Sequence, residues 1–238
     1  DKLIYQNTAY PKRFYSVSVN EDETVMFLYE SGDGRGNALY MKDLRKEDAP
    51  FVAMATDMNY QYSPLEVIGD KIYLSTNYEA PKSRVMVTEL DKPALKDWTT
   101  LVPESEDVLS GAQVIGGKLF LTYDKDASNH AYVYGLDGKK IQEIKLPSLG
   151  SVGFSGNKED KECFFSFTSF TIPGATYRYD MDANTYQLFR APKVDFNPDE
   201  FVTEQVFYPS KDGTKIPMFL TYKKGLKKDG KNPVFLYG

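Results

Sequence analysis

Tyr40-Met41-Lys42-Asp43-Leu44 decides the fold, because its pattern returns three times along the chain. It recurs as Met86-Val87-Thr88-Glu89-Leu90, as Tyr132-Val133-Tyr134-Gly135-Leu136 and as Tyr177-Arg178-Tyr179-Asp180-Met181, with last members 46, 46 and 45 residues apart. Each copy runs from an aromatic or Met through alternating residues to an acidic or small residue and an aliphatic one, the period-two signature of a strand. A second strand precedes each copy, over residues 25–29, 71–75, 118–123 and 163–167. Its aromatic members Phe27, Tyr73, Phe120 and Phe165 form another column, spaced by 46, 47 and 45. Gly69-Asp70, Gly116-Gly117 and Gly156-Asn157 stand before second strands and Asp137-Gly138 follows a third, all of them hairpin-turn pairs. A unit of this length holds four short strands, the size of a propeller blade. The expected fold class is therefore all-β, with about four four-stranded β-propeller blades. An open β-sandwich with accidental periodicity is the alternative.

Composition agrees with strands. Aromatic residues make up 14% of the 238, with 18 Tyr and 15 Phe, and such side chains suit pleated, half-buried surfaces. Helical periodicity is almost absent, and residues 21–24 and 182–185 read as turns. The net charge of −5 argues against nucleic acid as a partner, which calls for a basic face. No apolar stretch approaches the ~20 residues of a membrane-spanning helix, so no membrane partner is expected. The single cysteine, Cys163, excludes an internal disulfide and reads as a buried structural thiol in the run Cys163-Phe164-Phe165. One cysteine suits the cytoplasm, while the start at Asp1 without Met leaves the periplasm open.

The pattern changes after Arg190. Residues 1–190 hold the repeats, 191–202 form a Pro-punctuated linker, and 203–238 read as the truncated start of a second domain. In that tail, residues 203–208 and 216–222 flank the turn Ser210-Lys211-Asp212-Gly213, a hairpin signal. Pro233-Val234-Phe235-Leu236-Tyr237-Gly238 reads as a further apolar strand. The segment 1–11 has no preceding repeat to pack on, and an incomplete ring exposes a blade face at each end, so self-association and a disordered tail are expected.

Chemistry is sparse. Nucleophilic hydrolysis needs a nucleophile, a base and an orienting acid. The one histidine, His130, lies in Ser128-Asn129-His130-Ala131 and reads as a surface residue between strands. Gly153-Phe154-Ser155-Gly156-Asn157 lacks the last glycine of a nucleophile elbow and reads as a β-turn. Asp180-Met181-Asp182-Ala183-Asn184 begins like a calcium loop but lacks its glycine and closing glutamate. Gly32-Asp33-Gly34-Arg35-Gly36 is a glycine-rich turn without the lysine of a phosphate loop. Glu104, Glu106 and Asp107 read as a solvated acidic loop, as do the lysines of 223–231. No catalytic residue, metal site or cofactor is expected.

The tail carries a resemblance. Phe207-Tyr208-Pro209-Ser210-Lys211-Asp212-Gly213-Thr214-Lys215-Ile216-Pro217-Met218-Phe219-Leu220 resembles the segment that opens the peptidase domain of prolyl oligopeptidases, and Asn232-Pro233-Val234-Phe235-Leu236-Tyr237-Gly238 is similar to the strand that follows it there. Tyr10-Pro11-Lys12-Arg13-Phe14-Tyr15-Ser16-Val17, Leu101-Val102-Pro103-Glu104 and Phe167-Thr168-Ser169-Phe170-Thr171-Ile172-Pro173-Gly174 also look like that family. The resemblance covers essentially the whole chain. It implies a seven-bladed parent whose propeller covers an α/β-hydrolase domain, admits proline-containing oligopeptides and excludes folded proteins. This chain would be the last four blades, the linker and the first strands of the hydrolase domain. The family's Ser-Asp-His triad would lie beyond Gly238, as would a tyrosine of its oxyanion hole, so the chain is expected to be inactive alone. The remaining blades and the peptidase domain would be its partners.

One departure touches substrate binding. In several members the strand resembling Ser75-Thr76-Asn77 continues with an arginine facing the active-site cavity, where this chain has Tyr78. Asn77 and Tyr78 are the candidate substrate-binding residues, with Tyr78 either stacking on a ligand or serving as a plain loop residue. The alternative function is a self-standing β-repeat module that binds a protein or peptide, for which the tail after Pro209 has no use.

Overall fold

The computed structural model describes residues 3–32 and 34–237. Strands β1 (Phe14–Val19), β2 (Val25–Ser31), β3 (Asn37–Asp43) and β4 (Val52–Ala55) form one antiparallel meander. The second is β5 (Tyr62–Ile68), β6 (Lys71–Thr76), β7 (Arg84–Glu89) and β8 (Thr99–Val102). The third is β9 (Val108–Ile115), β10 (Lys118–Lys125), β11 (Ser128–Gly135) and β12 (Lys140–Ile144). The fourth is β13 (Ser151–Ser155), β14 (Cys163–Thr168), β15 (Ala175–Asp180) and β16 (Thr185–Arg190). These are the four blades, and they exclude the sandwich. First strands of neighbouring blades lie side by side, β5 with β9 and β9 with β13.

The repeat has a physical role within the third strand and just past its end. Leu44 N–H donates to the Thr24 carbonyl, and Leu90 N–H to the Asp70 carbonyl, both at 2.8 Å. In blades 1 and 2 the recurring aliphatic residue thus closes the ladder just where the second strand begins. Tyr40, Met86, Tyr132 and Tyr177 pair with Leu28, Leu74, Leu121 and Phe165. In blades 2 to 4 all of these face the preceding blade.

Because alternate residues leave opposite faces of a strand, each inner blade feeds two seams and each terminal blade one. Val25, Phe27, Leu39 and Met41 of blade 1 meet Ile72, Leu74, Met86 and Trp98 of blade 2. Tyr73 and Val85 of blade 2 meet Leu119, Leu121 and Tyr123 of blade 3. Phe120, Ala131 and Val133 of blade 3 meet Cys163, Phe165, Phe167 and Tyr179 of blade 4. Full burial of each large apolar side chain contributes about 1.5–3 kcal/mol, so these three seams hold the array together.

The aromatic column on the second strands needs one correction. Phe27, Tyr73 and Phe120 pair with Met41, Val87 and Val133 and face the following blade. Their equivalent in blade 4 is Phe164, which pairs with Arg178, and not Phe165. A slip of one residue moves a side chain to the other face. Phe165 therefore belongs to the leucine column.

The tail also differs from expectation. Strands β17 (Phe201–Pro209) and β18 (Lys215–Lys223) pair along nine registers as a hairpin. Residues 233–237, read from sequence as a strand, form none; Val234, Phe235, Leu236 and Tyr237 are 83–90% exposed. A strand needs a ladder partner for its N–H and C=O groups, and none of the described residues offers one. Gly238 and Asp33 lie outside the described residues. The segment 1–11, expected to have no preceding repeat to pack on, lies in its described part on blade 1 itself, with the Tyr5 ring 5.6 Å from Tyr15, 5.8 Å from Tyr40 and 5.6 Å from Phe51.

Candidate functional site

Every blade has two ends, and they differ. One carries the turns between first and second strands. The other carries the loops between second and third strands: residues 32 and 34–36, 77–83, 126–127 and 169–174. The hairpin β17–β18 touches this second end. The Gln205 side-chain amide donates to the Asp126 carbonyl, and the Phe219 ring lies 5.4 Å from Phe170. Asp126 and Ala127, at φ 47° and 62°, make a two-residue turn of the left-handed kind that hairpins favour.

Asn77 and Tyr78 sit on this same end, at the close of β6. The Asn77 side-chain Oδ1 accepts from Gln61 N–H at 2.6 Å, and Tyr78 N–H donates to Thr76 Oγ1 at 3.0 Å. The Tyr78 ring stands edge-on to Tyr60 at 5.1 Å, and Tyr62 continues the cluster to Trp98. Burial and the neighbouring Asp57 carboxylate, to which it donates, push the Tyr62 hydroxyl pKa up. Tyr78 is half-buried, with its ring set among tyrosines at the rim.

Glycines shape the rim beside it. A Cβ on Gly36 would sit 1.8 Å from the Tyr60 carbonyl oxygen, and one on Gly34 would sit 2.1 Å from that of Met58. The close approach lets Gly36 N–H reach the Met58 carbonyl at 2.9 Å and Asn37 N–H reach Tyr60 at 3.0 Å. The glycine-rich turn read from sequence therefore fastens blade 1 to the connection entering blade 2.

Other sequence candidates disperse. His130 lies inside β11 opposite Tyr123 and half-buried, rather than between strands as read from sequence, because the ladder begins at Ser128. Ser155 ends β13, so only the second half of the Gly153-to-Asn157 stretch is a turn. Asp180 Oδ1 accepts from the N–H groups of Asp182 and Ala183, a turn-closing role. Glu104 and Glu106 hold Lys82, and Asp107 pairs with Lys125 at 3.8 Å. Cys163 is fully buried, and that burial pushes its thiol up to about 12. Among the described residues no three His, Cys, Asp or Glu side chains are placed to hold a metal.

Sequence reasoning missed Lys158. It is 7% exposed, in the loop between β13 and β14, with Glu66 beside it at 6%. Its backbone N–H donates to both Glu21 carboxylate oxygens at 3.0 Å, and its ammonium pairs with Asp22 and lies 3.9 Å from Glu66. Desolvation works against that ammonium, but Asp22, Glu66 and Glu21 outweigh it and raise its pKa. No local motif marks such a residue, since its partners are far away in sequence.

The family model for the prolyl oligopeptidase N-terminal β-propeller domain matches residues 1–192. Prolyl endopeptidases of Elizabethkingia meningoseptica and Elizabethkingia miricola are 38% and 39% identical to this chain over its whole length. The chain spans about a third of these relatives, 34% of each. A solved prolyl endopeptidase structure aligns over 95% of this chain and 33% of its own, with TM-score 0.83 and 31% identity. Prolyl oligopeptidase B of Galerina marginata aligns over 95% and 33%, with TM-score 0.86 and 25% identity. With four meandering blades in one array and a match over residues 1–192, the chain belongs to the prolyl oligopeptidase family, through its N-terminal β-propeller domain.

Proposed function

We propose that this chain is the substrate-gating part of a serine peptidase that cleaves short peptides after proline, and that it does not cleave them by itself. The similarity to prolyl endopeptidases along the entire chain, in order, carries this reading. In it the hairpin β17–β18 opens the peptidase domain, and that domain and the remaining blades are the chain's partners. The blades supply walls rather than reacting groups: the one histidine lies within a blade ladder, opposite Tyr123.

Asn77 and Tyr78 are the substrate-facing residues of this reading. They share the blade end to which the hairpin is fastened, and Tyr78 presents a ring edge beside Tyr60. The purified 238-residue chain, incubated with a chromogenic Gly-Pro peptide, should show no turnover above buffer. Turnover that a serine-directed inhibitor abolishes would overturn the reading. In the longer enzyme, Tyr78→Ala should raise KM about two- to tenfold and leave kcat unchanged, the mark of a uniform binding contact.

A further inference from the structure

In stacked-repeat proteins each unit ordinarily touches only its neighbours. Here the turn between β13 and β14 breaks that rule. Toward blade 3, Gly116 N–H donates to the Asn157 carbonyl at 3.0 Å and Gly117 N–H to the Lys158 carbonyl at 2.7 Å. Toward blade 2, the Lys158 ammonium lies 3.9 Å from Glu66 Oε1. Toward blade 1, which is not a neighbour, Lys158 N–H meets Glu21 and the ammonium meets Asp22. One residue of blade 4 thus contacts all three other blades, through the first turns of blades 1 and 3 and through Glu66 near the end of β5.

The close approach is built in. A Cβ on Gly116 would fall 2.6 Å from the Asp160 carbonyl oxygen, and one on Gly156 would fall 2.6 Å from Ile115 Cγ2. Gly116 also has φ +55°, which a side chain rarely adopts. A lysine buried to 7% exposure among three carboxylates has its charge balanced only where these turns converge.

We propose that Lys158 is the keystone of an ionic clasp that holds blade 4 to blade 1 across the array, fixing its arc and drawing its first-turn end shut. The clasp stands independently of the peptidase reading, since it concerns only how the blades are held. The end that carries the hairpin has ties between neighbouring blades but, among the described residues, none from blade 4 to blade 1.

The test is hydrogen exchange on the 238-residue chain with Lys158→Met, Asp22→Asn and the double variant. Each single change should speed exchange at residues 20–24 and 157–160 about tenfold, with exchange in β6 and β10 unchanged. The double variant should be no faster than the faster single one, because both remove the same tie. Salt at 1 M should loosen these amides in the native chain, as Asp22 is half-exposed. If Lys158→Met unfolds the chain, Asp22→Asn and the salt series decide alone. Multiplying effects in the double variant, or unaltered exchange in Asp22→Asn and in salt, would overturn the clasp.

Discussion

The two outward faces of the blade array come from the same repeat and are finished in opposite ways. On blade 1, the outward column on β2 is Met26, Leu28 and Glu30, and Leu28 and Glu30 are 3% and 0% exposed. Residues 3–13 lie over it. Glu30 accepts from Asn7 Nδ2 at 3.0 Å, Arg13 Nη1 at 3.1 Å and the hydroxyls of Tyr15 and Tyr40 at 3.3 Å each. On blade 4, the outward column on β14 starts with Phe164, whose ring meets Phe189 at 5.1 Å. Leu188 and Phe189 are 57% and 63% exposed. The same pleat is covered by a polar-anchored strap at one end and left as bare aromatic surface at the other. A strand's pattern says which residues share a face; whether that face is buried depends on what else the chain lays against it.

The largest effect should come from the inward face of blade 4. Phe165 is fully buried, stacked at 5.0 Å on Tyr177 and in contact with Phe154 and Tyr186. Phe165→Ala should cost about 3–5 kcal/mol of stability in urea unfolding, the usual range for a core phenylalanine. Cys163 offers a second measurement in the same seam. Burial pushes its thiol up to about 12, which leaves little reactive thiolate at pH 8. A thiol reagent should therefore scarcely label the native chain and should label Phe165→Ala much faster. A small loss of stability would place Phe165 on the outward face after all.

A smaller effect is expected at the covered end. Glu30→Gln keeps the shape but replaces a charged acceptor of four donors, including Arg13, by an amide that brings its own N–H groups. The cost should be about 1.5–3 kcal/mol, the scale of hydrogen bonds to a charged group. Exchange at residues 5–15 should quicken along with it. If stability falls without that quickening, the strap is not what Glu30 holds.

Much of this was legible in the sequence. The third-strand column Tyr40, Met86, Tyr132 and Tyr177 keeps one facing throughout, because ladder register and side-chain facing are tied by the period of two. The second-strand column failed at its last member for the same reason: adjacent Phe164 and Phe165 are chemically identical, so spacing had no means to choose between faces. Residues 233–237 carry strand composition, yet pairing comes from partners, and composition records none. Lys158 was invisible because its partners are 92 to 137 residues away in sequence, at Glu66, Asp22 and Glu21. The candidates at Asn77 and Tyr78 came from a family likeness rather than local chemistry, which is why their neighbours Tyr60 and Tyr62 went unremarked.

The smallest stability effect should be at the bare end, and there the comparison is sharpest. Phe189 pairs with Phe164 in an edge-on contact but is largely in water already. Phe189→Ser removes little buried area, so unfolding should shift by no more than about 0.5 kcal/mol, as for other surface changes. Solution behaviour should change more than stability. An exposed Leu188-Phe189 pair on an edge strand favours association, and a polar residue there weakens it. Sedimentation of the native chain at rising concentration should show self-association that Phe189→Ser reduces, while Glu30→Gln leaves it unchanged. A large stability loss in Phe189→Ser would mean that this face is covered in solution as fully as blade 1's, and the contrast between the two ends would fail.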